Sequence, residues 1–206
     1  PYFREQVKQD AISILKEKGL KNSFGEDYNI FKDGLKVYTT LDADMQQHAE
    51  WAVQEHLSKT LQQQLDENIE KNKNYPFSNS VSTKNAEKYL LAAMKASDRY
   101  QKLKTLGWTD KKIEQNFNEV TTLEVFDWNS KNHTKKVEMT PLDSIKYHFK
   151  VLRAGLVAID PKTGFIKAYV GGPDFSFFKY DYASIAKRQV GSTIKPFVYA
   201  AAIEAG

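Results

Sequence analysis

The chain contains no cysteine, which excludes disulfide bonds, thiolate catalysis and cysteine-ligated zinc. It has no uninterrupted apolar run of membrane-spanning length, so we expect any anchor to lie outside this segment. A strong excess of one charge is also missing, because 30 Lys and Arg against 26 Asp and Glu leave a mild, scattered formal net charge of +4. No compact basic patch with interleaved aromatic residues occurs, so nucleic acid is not an expected partner. Neither repeats nor low-complexity tracts are present.

The remaining composition is that of a folded chain, since 41% of its 206 residues are hydrophobic. Residues 1–34 are predicted to form a connector: an amphipathic helix ending at Gly19, followed by a polar loop. The alternation in residues 35–40, LKVYTT, predicts a strand. A helix capped by Asp42 should follow, with apolar residues at every fourth position from Leu41 to Ile69. His48 and His56 on this helix lack a third ligand, and no metal site is expected.

The middle of the chain predicts a mixture of helices and one hairpin. Residues 71–84 are rich in Asn and Ser and predict a loop. Residues 85–118 are expected to form two helices, separated at Gly107, with Thr109 capping the second. The strands of a hairpin should lie on either side of the polar turn at 129–132. A helix is then predicted from a Thr140 cap to Gly155.

A second hairpin is predicted where GLVAID and FIKAYVGG enclose the turn PKTG, in which Gly164 is expected to adopt positive φ. An aromatic-rich loop should lead from this hairpin to the last segment, RQVGSTIKPFVYAAAIEAG, which holds Ser192 and Lys195. The apolar, alanine-rich run that follows predicts a helix buried in a domain core. It has no obvious stop signal, so we expect the chain to be a piece of a longer protein.

The spacing Ser-x-x-Lys is weak by itself, because about one match is expected by chance in a chain of this length. Four pairs occur: Ser13–Lys16, Ser176–Lys179, Ser184–Lys187 and Ser192–Lys195. Context favours the last pair, because Gly191 permits unusual backbone geometry just before the serine. Pro196 disfavours α geometry at Lys195, so we predict a tight, 3₁₀-like opening turn with a regular helix from Pro196.

Two interpretations of this pair follow from the residues alone. A serine hydroxyl becomes a nucleophile when a nearby base takes its proton, and a lysine serves as that base when burial or neighbouring cations lower its pKa. Backbone N–H groups at a helix N-terminus can then stabilise an oxyanion. The alternative is the polar start of an ordinary core helix, which needs no chemistry at all.

The stretch KRQVGSTIKPFVYAAAIEAG resembles the nucleophile motif of class A, bifunctional penicillin-binding proteins. GLVAIDPKTGFIKAYVGGPDF resembles the hairpin that precedes that motif in the family. PYFREQV and GLKVYTTLDADMQQHAEWAV resemble the junction between its glycosyltransferase and transpeptidase domains. Residues 58–140 match only loosely.

This resemblance implies an incomplete transpeptidase domain of α+β, serine β-lactamase-like fold. It divides the chain into a linker (1–34), the first strand and helix of the transpeptidase region (35–57), an insertion or accessory module (58–140), and the N-terminal part of the transpeptidase domain (141–206).

The resemblance also implies roles for the two residues. Ser192 would attack the D-Ala-D-Ala carbonyl of a stem peptide, with Lys195 as base, and β-lactams would acylate the same serine. The implied partners are peptidoglycan stem peptides, glycan strands and β-lactams. No cofactor is implied. The parent would be a peptidoglycan synthase on the extracytoplasmic face of the bacterial plasma membrane, held by an anchor outside this chain.

The family's other two motifs, Ser-x-Asn and Lys-Thr-Gly, follow the nucleophile in chain order. Ser130–Asn132 and Lys162–Gly164 have those compositions but precede Ser192, and both are predicted to be turns. We therefore expect the rest of the active site to lie beyond Gly206 and the 206-residue chain alone to be poorly acylated. Two alternatives stay open: residues 35–150 as a non-catalytic module that positions domains or docks a regulatory protein, and a serine β-lactamase.

Overall fold

The computed structural model describes residues 1–206 and consists of eight α-helices and two separate antiparallel hairpins. The helices are α1 (Tyr2–Glu17), α2 (Ala43–His56), α3 (Gln62–Ile69), α4 (Thr83–Ala96), α5 (Asp98–Thr105), α6 (Asp110–Phe117), α7 (Pro141–Lys150) and α8 (Lys195–Ala205). The strands are β1 (Thr121–Phe126), β2 (Thr134–Met139), β3 (Leu156–Ile159) and β4 (Ile166–Val170). Both hairpins fall where the sequence predicts them, and the fold is α+β, as expected. None of the helices combines the length and the apolarity needed to cross a lipid bilayer.

The hairpin β3–β4 forms one unit with α1 and α2, which pack against β4. The small core between α2 and the hairpin contains Ala49, Ala168 and Val170. The Gln46 side chain completes the edge of β4, because its amide accepts the Tyr169 N–H at 2.7 Å and donates to the Tyr169 carbonyl at 3.0 Å. This pairing satisfies backbone groups that an edge strand would otherwise leave open.

The predicted strand at residues 35–40 is wrong. The segment has no ladder partner, and Val37 and Tyr38 are 55% and 88% exposed. Only its end reaches β4, where the Thr40 hydroxyl donates to the Ile166 carbonyl and the Asp42 N–H to the Lys167 carbonyl. The alternating side-chain pattern indicated a strand, but no other strand pairs with this segment. β-Propensity alone does not stabilise an unpaired strand.

A single helical rod runs from α2 to α3 through a π turn at Leu57–Leu61. Asp42 caps its start by accepting the Met45 N–H at 3.0 Å, as predicted. An α-helix has 3.6 residues per turn, so apolar residues at every fourth position move gradually around its surface. At the π turn, the buried face consists of Leu57, Ser58 and Gln62. Beyond the turn, Gln62 binds the carbonyl of Lys150 and the N–H of Leu152, which fixes the end of α7 against the rod.

Helices α4 to α6 enclose a second core of Met94, Tyr100, Ile113 and Phe117. The sequence predicts two helices over 85–118, but the structure has three. The additional helix break, which was not predicted from the sequence, is at Ser97. The extended backbone of Ser97 ends α4, and its hydroxyl accepts the Tyr100 N–H and so caps α5. The predicted Thr109 cap of α6 is confirmed.

Helix α7 begins at its predicted Thr140 cap but ends at Lys150, five residues before the predicted stop at Gly155. Gly155 instead lies against another part of the backbone. A Cβ at this position would lie 2.6 Å from the Ala183 nitrogen and the Tyr182 carbonyl carbon. Gly155 thus allows two backbone segments to approach closely, and it does not terminate the helix.

A third core joins the helical middle part to the segment that follows β4. Its buried members are Leu57, Phe126, Trp128, Val151 and Phe178. Phe126 is fully buried, and Tyr147 and His148 of α7 bind its backbone: the Tyr147 hydroxyl donates to the carbonyl, and His148 Nε2 accepts the N–H at 3.3 Å. The packing of the two parts therefore depends on a neutral His148 ring.

Acid is expected to weaken this junction. Burial lowers the pKa of His148 below its ordinary value; a hydrogen bond with the Ser144 backbone opposes this shift, and the Arg153 guanidinium adds a smaller lowering. The unfolded chain takes up a proton near about pH 6.5, while the folded chain does so only at lower pH. The free energy of unfolding should therefore decrease as the pH falls below about 6.5. Urea unfolding at a series of pH values measures this slope.

The variant His148→Gln keeps an acceptor for the Phe126 N–H but cannot be protonated, so it should show a flatter pH dependence. His56→Gln changes an exposed histidine of α2 and should leave the slope as in the unmodified chain. Equal slopes for the unmodified chain and His148→Gln would contradict the assignment.

Candidate functional site

Ser192 and Lys195 lie on one tight turn. Residues Gly191–Ile194 form a 3₁₀ turn, and α8 continues directly from Lys195. The Lys195 N–H donates to the Ser192 carbonyl, and Gly191 has φ +52°. The predicted 3₁₀ opening is therefore confirmed. The predicted helix start at Pro196 is wrong by one residue, because Lys195 adopts α geometry (φ −56°, ψ −43°) despite the proline that follows it. Because side chains three residues apart are aligned in a 3₁₀ turn, those of Ser192 and Lys195 lie on the same side of it.

The surroundings of this turn differ from the expectation of a buried core helix. Every residue from Lys187 to Gly206 is exposed, and the only element against which α8 packs to any extent is the 3₁₀ turn before it. Phe197 and Ile203 are 71% and 81% exposed. The expectation fails because nothing in the described chain packs on α8, whatever its composition. No side-chain hydrogen bond caps the helix. Its first N–H group, that of Lys195, is bound to the Ser192 carbonyl, and Pro196 has no N–H.

The other Ser-x-x-Lys pairs lie in different settings. Ser13 and Lys16 are exposed on α1. The Ser176 hydroxyl donates to the Asp174 carboxylate, and the Ser184 N–H also donates to a carboxylate, that of Asp181. Only Ser192 stands at the opening turn of a helix, which is the context that the sequence singled out.

The two family-like tripeptides are both turns, as predicted. Ser130–Asn132 lies between β1 and β2, where the Ser130 N–H donates to the Asp127 carbonyl. Lys162–Gly164 lies between β3 and β4, where the Lys162 N–H donates to the Asp160 carboxylate and Gly164 has φ +71°. Each tripeptide has a complete local explanation without catalysis.

Tyr2 was not singled out by the sequence, yet it fixes α1 to the start of the loop that leads to Ser192. Its side chain is buried, its hydroxyl donates to the Phe178 carbonyl, and its ring packs edge-on against Phe175. A Cβ at Gly171 or Gly172 would lie within 2.6 Å of the Tyr2 side chain. Burial raises the pKa of the Tyr2 hydroxyl, which therefore remains a donor.

A cleft of about 640 Å³ lies beside this contact, between α1, α2 and residues 172–176. His133, in the turn before β2, and Asp174 meet in its wall, with His133 Nδ1 3.4 Å from Asp174 Oδ2. Although burial raises the pKa of Asp174, hydrogen bonds from Ser176 and His133 lower it overall. Ser192 and Lys195 do not line this cleft. No cluster of three or more histidine or acidic side chains is placed to hold a metal ion.

Comparison with protein families assigns most of the chain. Residues 72–152 match the penicillin-binding protein middle domain, and residues 154–206 match the penicillin-binding protein transpeptidase domain. The 3₁₀ turn with Ser192 and Lys195 falls within the second match. No solved structure matches the chain.

Curated relatives agree with these matches. Penicillin-binding protein 1A of Rickettsia prowazekii is 29% identical over 228 aligned residues, which cover 100% of this chain and 26% of the relative. Penicillin-binding protein 2D of Bacillus subtilis is 33% identical over 70% of this chain and 20% of its own length. Penicillin-binding protein 1A of Neisseria cinerea is 50% identical over 56 residues, 27% of this chain and 7% of its own length. The chain spans about a quarter of the Rickettsia relative's length. Two matched domains and these relatives together show that the chain belongs to the penicillin-binding protein family, as a segment with the middle domain and part of the transpeptidase domain.

Proposed function

We propose that this chain is part of a class A peptidoglycan synthase and that Ser192 is the acylated residue of its D,D-transpeptidase. The observation that carries the proposal is the 3₁₀ turn that opens α8, within the transpeptidase match, with Ser192 and Lys195 one turn apart. A serine nucleophile needs a nearby base, and Lys195 follows Ser192 by three residues on the same turn.

The proposed reaction begins when Lys195, as the base, takes the proton of the Ser192 hydroxyl. The hydroxyl oxygen attacks the carbonyl carbon between the two D-alanine residues of a stem peptide. The peptide bond breaks, the terminal D-alanine leaves with the transferred proton, and an acyl-enzyme remains. An amine from a second stem peptide then releases the acyl group and forms the crosslink. β-Lactams acylate the same oxygen.

The rest of the parent protein follows from the same family. We propose an upstream glycosyltransferase domain that extends glycan strands, a membrane anchor outside this chain, and a location on the extracytoplasmic face of the bacterial plasma membrane. The chain reaches Ser192 through one rod and two hairpins that are themselves packed together. These elements would hold the transpeptidase at a set distance from the upstream domain.

A second, compatible role concerns the helical middle part. It has its own core of Met94, Tyr100, Ile113 and Phe117, and it does not pack against α8, whose residues are all exposed. We propose that this module, within residues 58–140, positions the catalytic domains or docks a regulatory protein. Deleting 60–138 from the full-length protein should then preserve acylation of Ser192 while reducing coupled synthesis of glycan and crosslinks. Loss of both would favour a purely structural role.

Acylation of the full-length protein by a fluorescent penicillin, followed by digestion and mass spectrometry, tests the site. The adduct is expected on the peptide that contains Ser192. The 206-residue chain should label poorly, because Ser192 and Lys195 are exposed with no packed surface opposite them. An adduct on any other serine would refute the assignment. Rapid release of the hydrolysed drug, rather than a long-lived adduct, would favour a serine β-lactamase.

A further inference from the structure

A second cavity lies between the middle domain and the segment that leads to Ser192, and its lining is cationic and aromatic. Its volume is about 340 Å³. The middle domain contributes α4 and α7, and the other wall is residues 177–182. The cations are Arg153 and Lys179, and no aspartate or glutamate is among the lining residues. Neither cation forms a salt bridge with any acidic side chain.

Arg153 is held in a fixed orientation at this cavity. Its Nη1 donates to the Tyr182 hydroxyl at 3.0 Å, its Nη2 donates to the His148 carbonyl, and its guanidinium lies 4.5 Å from the centre of the Phe178 ring. Each Nη carries two N–H groups and uses one of them here. The fork therefore keeps donors for a further acceptor, while Nε is buried without a partner. A half-buried, oriented and unpaired guanidinium is an energetically costly group that an anion would stabilise.

The walls indicate the kind of anion. Besides the cations, the lining includes Phe149, Phe177, Phe178 and Tyr180. Rings of this type pack favourably against an apolar or aromatic group, which a strongly hydrated ion such as phosphate lacks. A planar carboxylate matches the guanidinium fork. We propose that this cavity is a binding site for a carboxylate attached to an apolar or aromatic group, either a small aromatic acid or the free C-terminus of a peptide.

Binding at this site would join the two domains, because its walls come from both. The site is independent of Ser192, which lies outside its lining. The test below measures no acylation, so its failure would leave the proposed transpeptidase role unaffected.

The probe is phenylacetate, titrated into the ¹⁵N-labelled 206-residue chain while the amide shifts of residues 177–182 are recorded. Saturable shifts with Kd on the order of 1 mM are expected for a ligand of this size. The neutral isostere 2-phenylacetamide should bind at least about tenfold more weakly, since the charge-assisted bond to Arg153 is lost. Inorganic phosphate should bind more weakly too, because it gains nothing from the rings. Equal binding of the acid and the amide, or no saturable shift, would overturn the proposal.

Lys179 is exposed, so replacing it should change ligand binding without unfolding the chain. Lys179→Met should weaken phenylacetate binding severalfold, and Lys179→Glu should abolish it by reversing the local charge. Lys162→Met, in the distant β3–β4 turn, is the matched control and should bind as the unmodified chain does. Arg153→Lys, which retains the charge without the planar fork, should bind about tenfold more weakly. Unchanged affinity in Lys179→Glu would refute the site.

The source of the carboxylate is distinguished by a pair of peptides. Acetyl-Gly-Phe with a free C-terminus is compared with the same peptide amidated. If acetyl-Gly-Phe with a free C-terminus binds more tightly than phenylacetate does, the ligand is a peptide C-terminus. Binding of phenylacetate but not of either peptide would identify a small aromatic acid.

Discussion

Replacing Ser192 with alanine is expected to abolish covalent labelling of the full-length protein by a fluorescent penicillin, with a rate loss of more than about 10⁴-fold. The variant removes the only atom that the proposed mechanism acylates. It should leave the fold unchanged, because Ser192 is exposed and makes no side-chain hydrogen bond. Lys195→Arg retains a cation but removes a usable base, and a general base contributes about 10²- to 10⁴-fold. The second-order acylation rate, measured by gel fluorescence over time, separates these effects.

The matched controls come from the first Ser-x-x-Lys pair. Ser13→Ala and Lys16→Arg alter the same residue types at the same spacing on the exposed surface of α1. Labelling rates of both controls should equal that of the unmodified protein. Labelling that survives Ser192→Ala, or is lost in Ser13→Ala, would place the nucleophile elsewhere. Thermal unfolding of each variant checks that a lost rate does not reflect a lost fold.

The features predicted correctly from the sequence are those with local causes. Asp42, Thr109 and Thr140 cap the helices where expected, because a cap is a bond between residues two or three positions apart. The 3₁₀ turn at Ser192 was predicted for the same reason, since Gly191 and Pro196 restrict the backbone directly. Such features depend on no other part of the chain.

The errors concern contacts between distant residues. Residues 35–40 alternate like a strand but have no neighbouring strand. Gly155 looked like a helix stop, although its lack of a side chain serves a contact with residues 182 and 183. The exposure of α8 has the same origin, because burial depends on what packs against a helix. Ser97 is the exception: its signal was local, a serine with acidic Asp98 next to it, and it was overlooked.

The cavity at Arg153 shows why a second site was not found from sequence. Arg153 and Lys179 are 26 positions apart, and no motif contains both of them. Their common environment arises only when α7 packs against residues 177–182. The family match ends at residue 152 for one domain and begins at 154 for the next, so Arg153 lies at the boundary itself. The grouping of two cations at such a boundary is a property of the packed chain.

Phe126→Ala is expected to destabilise the chain by about 3–5 kcal/mol, the range for truncating a buried phenylalanine. The Phe126 ring is fully buried, and its centroid lies 4.9 Å from the ring centroid of Trp128 and 5.2 Å from that of Phe178. Its loss leaves a cavity at the core that joins the middle domain to the transpeptidase segment. Phe24→Ala, at a side chain that is 85% exposed, is the control and should change stability by less than about 0.5 kcal/mol. Urea unfolding at neutral pH measures both. A loss below about 1 kcal/mol for Phe126→Ala would mean that the two parts do not share a core.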